Sequence, residues 1–162
     1  LLAGITLDTK NFAFKTGVRT FEAASYLKKS GADTVEVKKL FNSDIKDFIT
    51  KAEIIQNAKV LNNNICLAYT RTEANNINIV IAQAADELLN VKEVEASFVL
   101  GRKDDRVFIS ARSLGNINVH VLMEKLGGGG HRDMAGAQLD TSLEEAYEMV
   151  KATIETYIKE EE

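Results

Sequence analysis

Four consecutive glycines run straight into a histidine, Gly127-Gly128-Gly129-Gly130-His131, and this run limits what its surroundings can become. Glycine has no Cβ and reaches positive φ freely, so the run can turn sharply and bring several backbone N–H groups onto one anion. The natural anion is a phosphate. A helix C-cap leading into a connector is the ordinary alternative, because helices so often end on Gly. The neighbouring residues point to a tight connection inside a domain. The amphipathic stretch Ile117 to Leu126 precedes the run, and the apolar Ala135-Gly136-Ala137-Gln138-Leu139 follows it. A linker between domains would be richer in Ser and Pro.

The chain has 162 residues, 45% of them apolar, enough for one domain of ordinary size or one domain and a piece of another. Its formal charge of −4 argues against a surface for long nucleic acid, which needs a basic face. A small anionic ligand held by backbone and one or two Arg stays compatible with that charge. The single Cys66 excludes an internal disulfide framework and points to a reducing, cytoplasmic setting. No apolar run approaches the roughly 20 residues that span a bilayer, so the piece is expected to be soluble. The opening Leu1-Leu2-Ala3-Gly4-Ile5 reads as a buried strand ending at Leu7-Asp8-Thr9, and the chain as a fragment of something longer.

Thr20 offers an N-cap to a helix over Phe21 to Lys29 that Gly31 would end, and a short helix covers Thr34 to Leu40. Ser43 caps a longer helix with the stripe Ile45, Phe48, Ile49, Ala52 and Ile55, stopped by Asn62-Asn63-Asn64. A domain boundary is expected near residue 60, giving units of 1–60 and 61–162. Beyond it the elements alternate. A strand at Ile65 to Tyr69 precedes a helix whose face is Ile77, Ile81, Ala84, Ala85 and Leu88. Strands at Glu95 to Leu100 and Arg106 to Arg112 flank a polar loop, Gly101 to Asp105. After the helix Ile117 to Leu126, the glycine loop and a strand near Ala137 to Leu139, a last helix opens on the capping box Ser142/Glu145. Its apolar stripe is Ala146, Met149, Val150, Ile154 and Tyr157. This order implies an α/β fold, a mixed sheet covered by helices.

Chemistry narrows on three places. A Walker loop requires Lys-Ser or Lys-Thr after its last Gly, and a dinucleotide fingerprint opens a helix; here His131-Arg132-Asp133 and then a strand follow. Cys66, His120 and His131 lack the spacing of a closed zinc site, and His120 fits better as a helix residue. Ser110-Ala111-Arg112-Ser113 ends a predicted strand, so Arg112 would leave the sheet with its fork free for phosphate oxygens, with hydroxyls flanking it. A solvated strand-end Arg is the plainer reading of that residue alone. Asp8, at a strand end, reads as a capping or turn residue, and one carboxylate cannot hold a pair of divalent ions.

Taken in order, Gly4-Ile5-x-x-Asp8-Thr9-x-x-Phe12, Thr16-Gly17-Val18-Arg19-Thr20-Phe21 leading to Gly31-Ala32-Asp33, Ser110-Ala111-Arg112-Ser113 and Gly127 to His131 resemble the C-terminal part of DHH (Asp-His-His) superfamily phosphoesterases. The second half resembles the DHH-associated substrate-binding domain. The closest resemblance is to membrane-anchored cyclic-di-AMP phosphodiesterases of the GdpP type. It implies that residues 1–60 are the truncated, mainly helical end of a DHH domain, and that 61–162 bind substrate. It further implies that Asp8 helps to hold one of two Mn²⁺ ions, and that Gly127, Gly128, Gly129, Gly130 and His131, with Ser110, Arg112 and Ser113, hold the nucleotide and its phosphate. Cyclic di-AMP would be cut to linear pApA only with the upstream DHH part present, because the Asp-His-His motif is not in this sequence.

Three other readings stand beside this one: a single-stranded nucleic-acid binding module, a relative acting on short oligonucleotides, and a pure oligomerisation domain. A homodimer is compatible with all of them.

Overall fold

The computed structural model describes residues 1–14, 16–61, 64–74 and 76–161. They form two compact units, Leu1–Asp44 and Ile45–Glu162. Among the described residues, no helix is long and apolar enough to cross a membrane.

The first unit is helical, with α1 (Leu2–Asp8), α2 (Val18–Lys29) and α3 (Thr34–Lys39). The opening apolar run is therefore a helix and not the expected strand. A run this short carries no period that separates the two, and local bonding decides it. Ile5 donates to the Leu1 carbonyl at 3.1 Å and Thr9 to that of Ile5 at 3.0 Å, while the Thr6 and Thr9 hydroxyls bond four residues back. Asp8 consequently lies exposed at the C-terminal end of a helix. The helix α2 starts earlier than Thr20 suggested. Gly17 holds the N-cap position, and the Thr20 hydroxyl accepts from the Gly17 N–H at 3.4 Å. Gly31, with φ of +97°, ends α2 as expected: Gly31 donates to Lys28 and Ala32 to Leu27, the paired bonds of a Schellman motif.

The second unit contains α4 (Ile45–Gln56), β1 (Lys59–Leu61), β2 (Ile65–Thr70), α5 (Ile77–Leu88), β3 (Ala96–Lys103) and β4 (Arg106–Ser113). After these come α6 (Val119–Lys125), β5 (Gly129–Gly130), β6 (Met134–Leu139) and α7 (Leu143–Glu161). One six-stranded sheet has the order β1-β2-β3-β4-β6-β5. Its β2–β3 pair is parallel, with α5 as the crossover, and every other pair is antiparallel. The sheet is thus mixed, as the alternation of elements implied.

Several boundaries differ from the sequence reading. α4 stops at Gln56 and gives way to β1; Asn62 and Asn63, named as its stop, lie outside the described residues. The stripe Ile45, Phe48, Ile49 is exposed, and α4 buries Thr50 and Ile54 instead, Ile54 joining the core beside α5. The polar loop after β3 shrinks to Asp104-Asp105, because Lys103 already pairs with Arg106 and Asp104 takes φ of +54°. On α7 the buried face is Leu143, Ala146, Val150 and Ile154, while Met149 turns outward.

Each face of the sheet has its own core. Leu67, Phe98, Ile109, Ala111, Ala135 and Ala137 pack beneath α6 and α7, with Leu122, Met123 and Ile154. On the other face Cys66, Ala68 and Val99 pack beneath α5, with Val80, Ile81 and Ala84. Burial pushes the Cys66 thiol above its ordinary pKa, which disfavours the thiolate. α5 can sit this low because β3 carries Gly101, where a Cβ would stand 2.6 Å from the Ile77 side chain.

Two predictions follow from local geometry. At Gly128 a Cβ would lie 2.6 Å from that of Ala137 and closer still to the Gly136 carbonyl, whereas at Gly129 it would meet nothing within 4 Å. Gly128→Ala is therefore expected to cost about 1–3 kcal/mol in urea unfolding, and Gly129→Ala to be neutral or slightly stabilising. The second concerns α7. The hydroxyl of Thr141, then the N–H and hydroxyl of Ser142, hold the Glu145 carboxyl below its ordinary pKa of 4.5. A lowered folded pKa contributes stability that is present above the ordinary value and lost as pH falls through the lowered one. Glu145→Gln should flatten the acid side of the stability–pH profile below about pH 5 and leave the neutral side parallel to wild type.

Candidate functional site

The glycine run does two structural jobs before any ligand is considered. Gly127, with φ of +76°, and Gly128 end α6 in a Schellman motif. Gly127 donates to Glu124 at 3.0 Å and Gly128 to Met123 at 2.8 Å. The ordinary C-cap reading thus describes the first half of the run, and these two amides face helix carbonyls and not an anion. Gly129 and Gly130 then form the edge strand β5, paired with Gly136 and Ala135. Gly130 is required by its own φ of +148° and by the Ala135 backbone 2.5 Å from any Cβ. Gly129 has neither reason: its φ is outside the left-handed region and its side-chain position opens onto free space.

Pairing register builds the open face. Three rows cross the sheet on the side of α5. One reads Thr70, Gly101, Phe108, Gln138. The next reads Ala68, Val99, Ser110, Gly136, Gly129, and the third Cys66, Ser97, Arg112, Met134. α5 packs across β3 and β4 on these rows, with α4 beside it against β2. Toward the β5 edge the middle row shrinks to Ser110, Gly136 and Gly129, and a cavity of about 470 Å³ opens beside it. It is lined by Ser110, Gly127, Gly128, Gly136 and Gln138, with Asn78 and Phe108 on its rim toward α5.

Arg112 lies on the same face as Ser110, two residues along β4, and its guanidinium is not free as the sequence suggested. Nη1 donates to Ser110 Oγ and to the Ala111 carbonyl, both at 3.0 Å, and Nε stands 3.4 Å from Asp86 on α5. The cause is position: Arg112 is paired on both sides, with Ser97 and Met134, so it stays within the sheet. The side chain is largely buried, and Nη2 has no hydrogen bond among the described residues. A guanidinium fixed at Nη1 and Nε has little freedom left to lose when it meets an anion.

Ser113 belongs elsewhere. It lies one residue from Arg112, so alternation sends it to the α6/α7 face, where its Oγ accepts from the Gly115 N–H at 2.9 Å. His131 is exposed in the turn between β5 and β6, its N–H donating to the Met134 carbonyl. Arg132 is tied back, Nε to the Gly115 carbonyl at 3.0 Å. Among the described residues, no group of three His, Cys, Asp or Glu could hold a metal ion, so Asp8 has no partner ligands here. The residues present do not by themselves fit a divalent centre.

The cavity therefore brings together Ser110, Gly127 and Gly128, with Arg112 bonded to Ser110 beside it and Gly129 on the adjoining edge strand; Ser113, His131 and Asp8 do not line it. Gly136, Gln138, Asn78 and Phe108 were not singled out from sequence. Gly136 could have been, since it faces Gly129 two residues after the hairpin turn begins to close; the others enter only through strand register and the placement of α5.

A family model described as the DHHA1 domain matches residues 62–160. The chain is 47% identical over 163 residues to the cyclic-di-AMP phosphodiesterase GdpP of Bacillus subtilis (strain 168), covering 98% of this chain and 25% of that protein. It is 43% identical over 163 residues to the cyclic-di-AMP phosphodiesterase PdeA of Listeria monocytogenes, covering 99% and 25%. The chain thus spans about a quarter of the length of these curated relatives. Among solved structures, an exopolyphosphatase-related protein from Bacteroides fragilis superposes with a TM-score of 0.83 at 22% identity, over 94% of this chain and 48% of that one, a likeness of fold. With the family match running from β2 into α7, this chain belongs to the DHHA1 domain family.

Proposed function

We propose that this chain is the substrate-binding part of a phosphodiesterase that hydrolyses cyclic di-AMP to linear pApA. The observation that carries the reading is the row Ser110, Gly136, Gly129, in which a buried hydroxyl braced against a preset Arg112 leads to half-buried glycines that line or adjoin the cavity. Similarity over nearly all of this chain to a quarter of the length of two proteins named cyclic-di-AMP phosphodiesterases supports the choice of substrate. In this reading the phosphodiester lies over the bare backbone at Gly129 and Gly136, Arg112 donates from Nη2, Ser110 keeps the fork in place, and His131 closes over the edge. Residues 1–60 then belong to the end of a DHH domain and 61–162 to the binding domain, with any membrane anchor elsewhere in the parent protein. A divalent centre, Mn²⁺ in the family resemblance, would draw its ligands other than Asp8 from outside these residues. The chain's own contribution is to bind and orient the dinucleotide, which lowers the entropic part of the barrier.

Calorimetric titration with pApA and cyclic di-AMP tests this. Wild type should bind both, and Arg112→Ala should weaken binding by about 1.5–3 kcal/mol, the worth of a hydrogen bond to a charged group. Gly129→Val should abolish binding while the melting curve stays cooperative. Ser113→Ala, on the opposite face, should bind as wild type does. Added Mn²⁺ should give no pApA from cyclic di-AMP by this chain alone. Binding that rises with oligonucleotide length and collapses in salt would instead identify a single-strand binding module.

A further inference from the structure

Beyond the phosphate-binding row lies a second cavity of about 760 Å³, lined by Lys103, Asp104, Asp105, Arg106 and Asp140, with Asn78 and Phe108. The last two residues also line the first cavity, so the two spaces share one wall. Both volumes fall in the roughly 300–1,000 Å³ range of small-molecule sites. Their chemistry differs. The first is floored by backbone, Ser110 and glycines. The second sets three carboxylates against two cations, Lys103 and Arg106, and Arg106 is already paired with Asp140 at 2.9 Å. A phosphate is repelled by such a lining; a neutral ring is not.

The shared wall has the two groups that a nucleobase requires. Phe108 is only partly buried, because its row neighbour Gly101 has no side chain to cover it and α5 presses on Gly101 instead. Aromatic rings of this kind take any base by stacking. Asn78 is exposed near the start of α5, and its amide makes no hydrogen bond among the described residues. An amide offers one donor and one acceptor side by side, the match for adenine N7 and N6–H₂, whereas guanine presents two acceptors along the same edge.

We infer that Phe108 and Asn78 form a nucleobase subsite, in which an adenine stacks on Phe108 and is read by Asn78 within the cavity beside the β3–β4 hairpin. The subsite rests on the dinucleotide reading above and adds base selectivity to it. It places one nucleotide across the shared wall, with its phosphate over Ser110 and Gly136 and its base beyond Phe108.

The test is titration of the 162-residue chain, Phe108→Leu and Asn78→Ala with pApA, pGpG and ribose 5-phosphate. Leu keeps the apolar contact with the core and removes the aromatic face; Asn78 is a surface residue whose replacement leaves packing intact. Phe108→Leu should weaken pApA about tenfold and leave ribose 5-phosphate unchanged. The adenine H8 and H2 resonances of bound pApA should lose their upfield ring-current shift in the same variant. Asn78→Ala should weaken pApA and not pGpG. Wild-type affinity for pApA in both variants overturns the subsite while leaving the proposed function standing, and loss in only one overturns the role given to the other residue. Failure of wild type to bind pApA overturns the proposed function and the subsite with it.

Discussion

The side chains of β4 alternate between two environments, and the rest of the second unit depends on that alternation. Val107, Ile109 and Ala111 enter the core beneath α6 and α7, so Phe108, Ser110 and Arg112 must face the other way. The strand pairs with β3 on one side and β6 on the other, and a slip by one residue would send Arg112 into the apolar core beneath α6 and α7 and Ile109 to the α5 face. Burial of three apolar side chains thus sets where a guanidinium and a hydroxyl emerge. The fold and the site are consequences of one register.

A covered face is made into a usable one by differences in side-chain size along the rows. Under α4 and α5 the middle row carries Ala68 and Val99, and the helices pack on them; Ser110 is still buried, and the row emerges toward solvent only at Gly136 and Gly129. The glycines do not act alike. Gly127 and Gly128 stop a helix, Gly128 and Gly130 admit neighbouring backbone, and Gly129 alone has no internal reason to lack a side chain. An anion site here rests on one or two bare positions beside a braced arginine, a narrower arrangement than a loop of converging amides.

Much of this was legible in the sequence because it is local. The capping box at Ser142/Glu145, the helix stop at Gly31 and the apolar face of α5 each depend on residues within a turn or two, and each stands where its pattern put it. The failures share a cause. Leu1–Ile5 was too short for periodicity to separate helix from strand, and the α4 stripe was apolar without being the face that packs. Ser110, Arg112 and Ser113 looked like one cluster because they are adjacent in the chain, but in a strand adjacent residues oppose each other.

The sequence by itself determined an α/β fold with a mixed sheet, membership of its family through ordered motifs, and the residue types that could meet a phosphate, because propensity, capping and motif order are written along the chain. Tertiary structure alone decided which of them share a face, which glycine is left open, that Arg112 is braced by Ser110 and Asp86, and that Asn78 and Phe108 stand between two cavities. The reason is that cross-strand register and the seat of α5 are set by burial summed over residues far apart in sequence, which no local pattern contains.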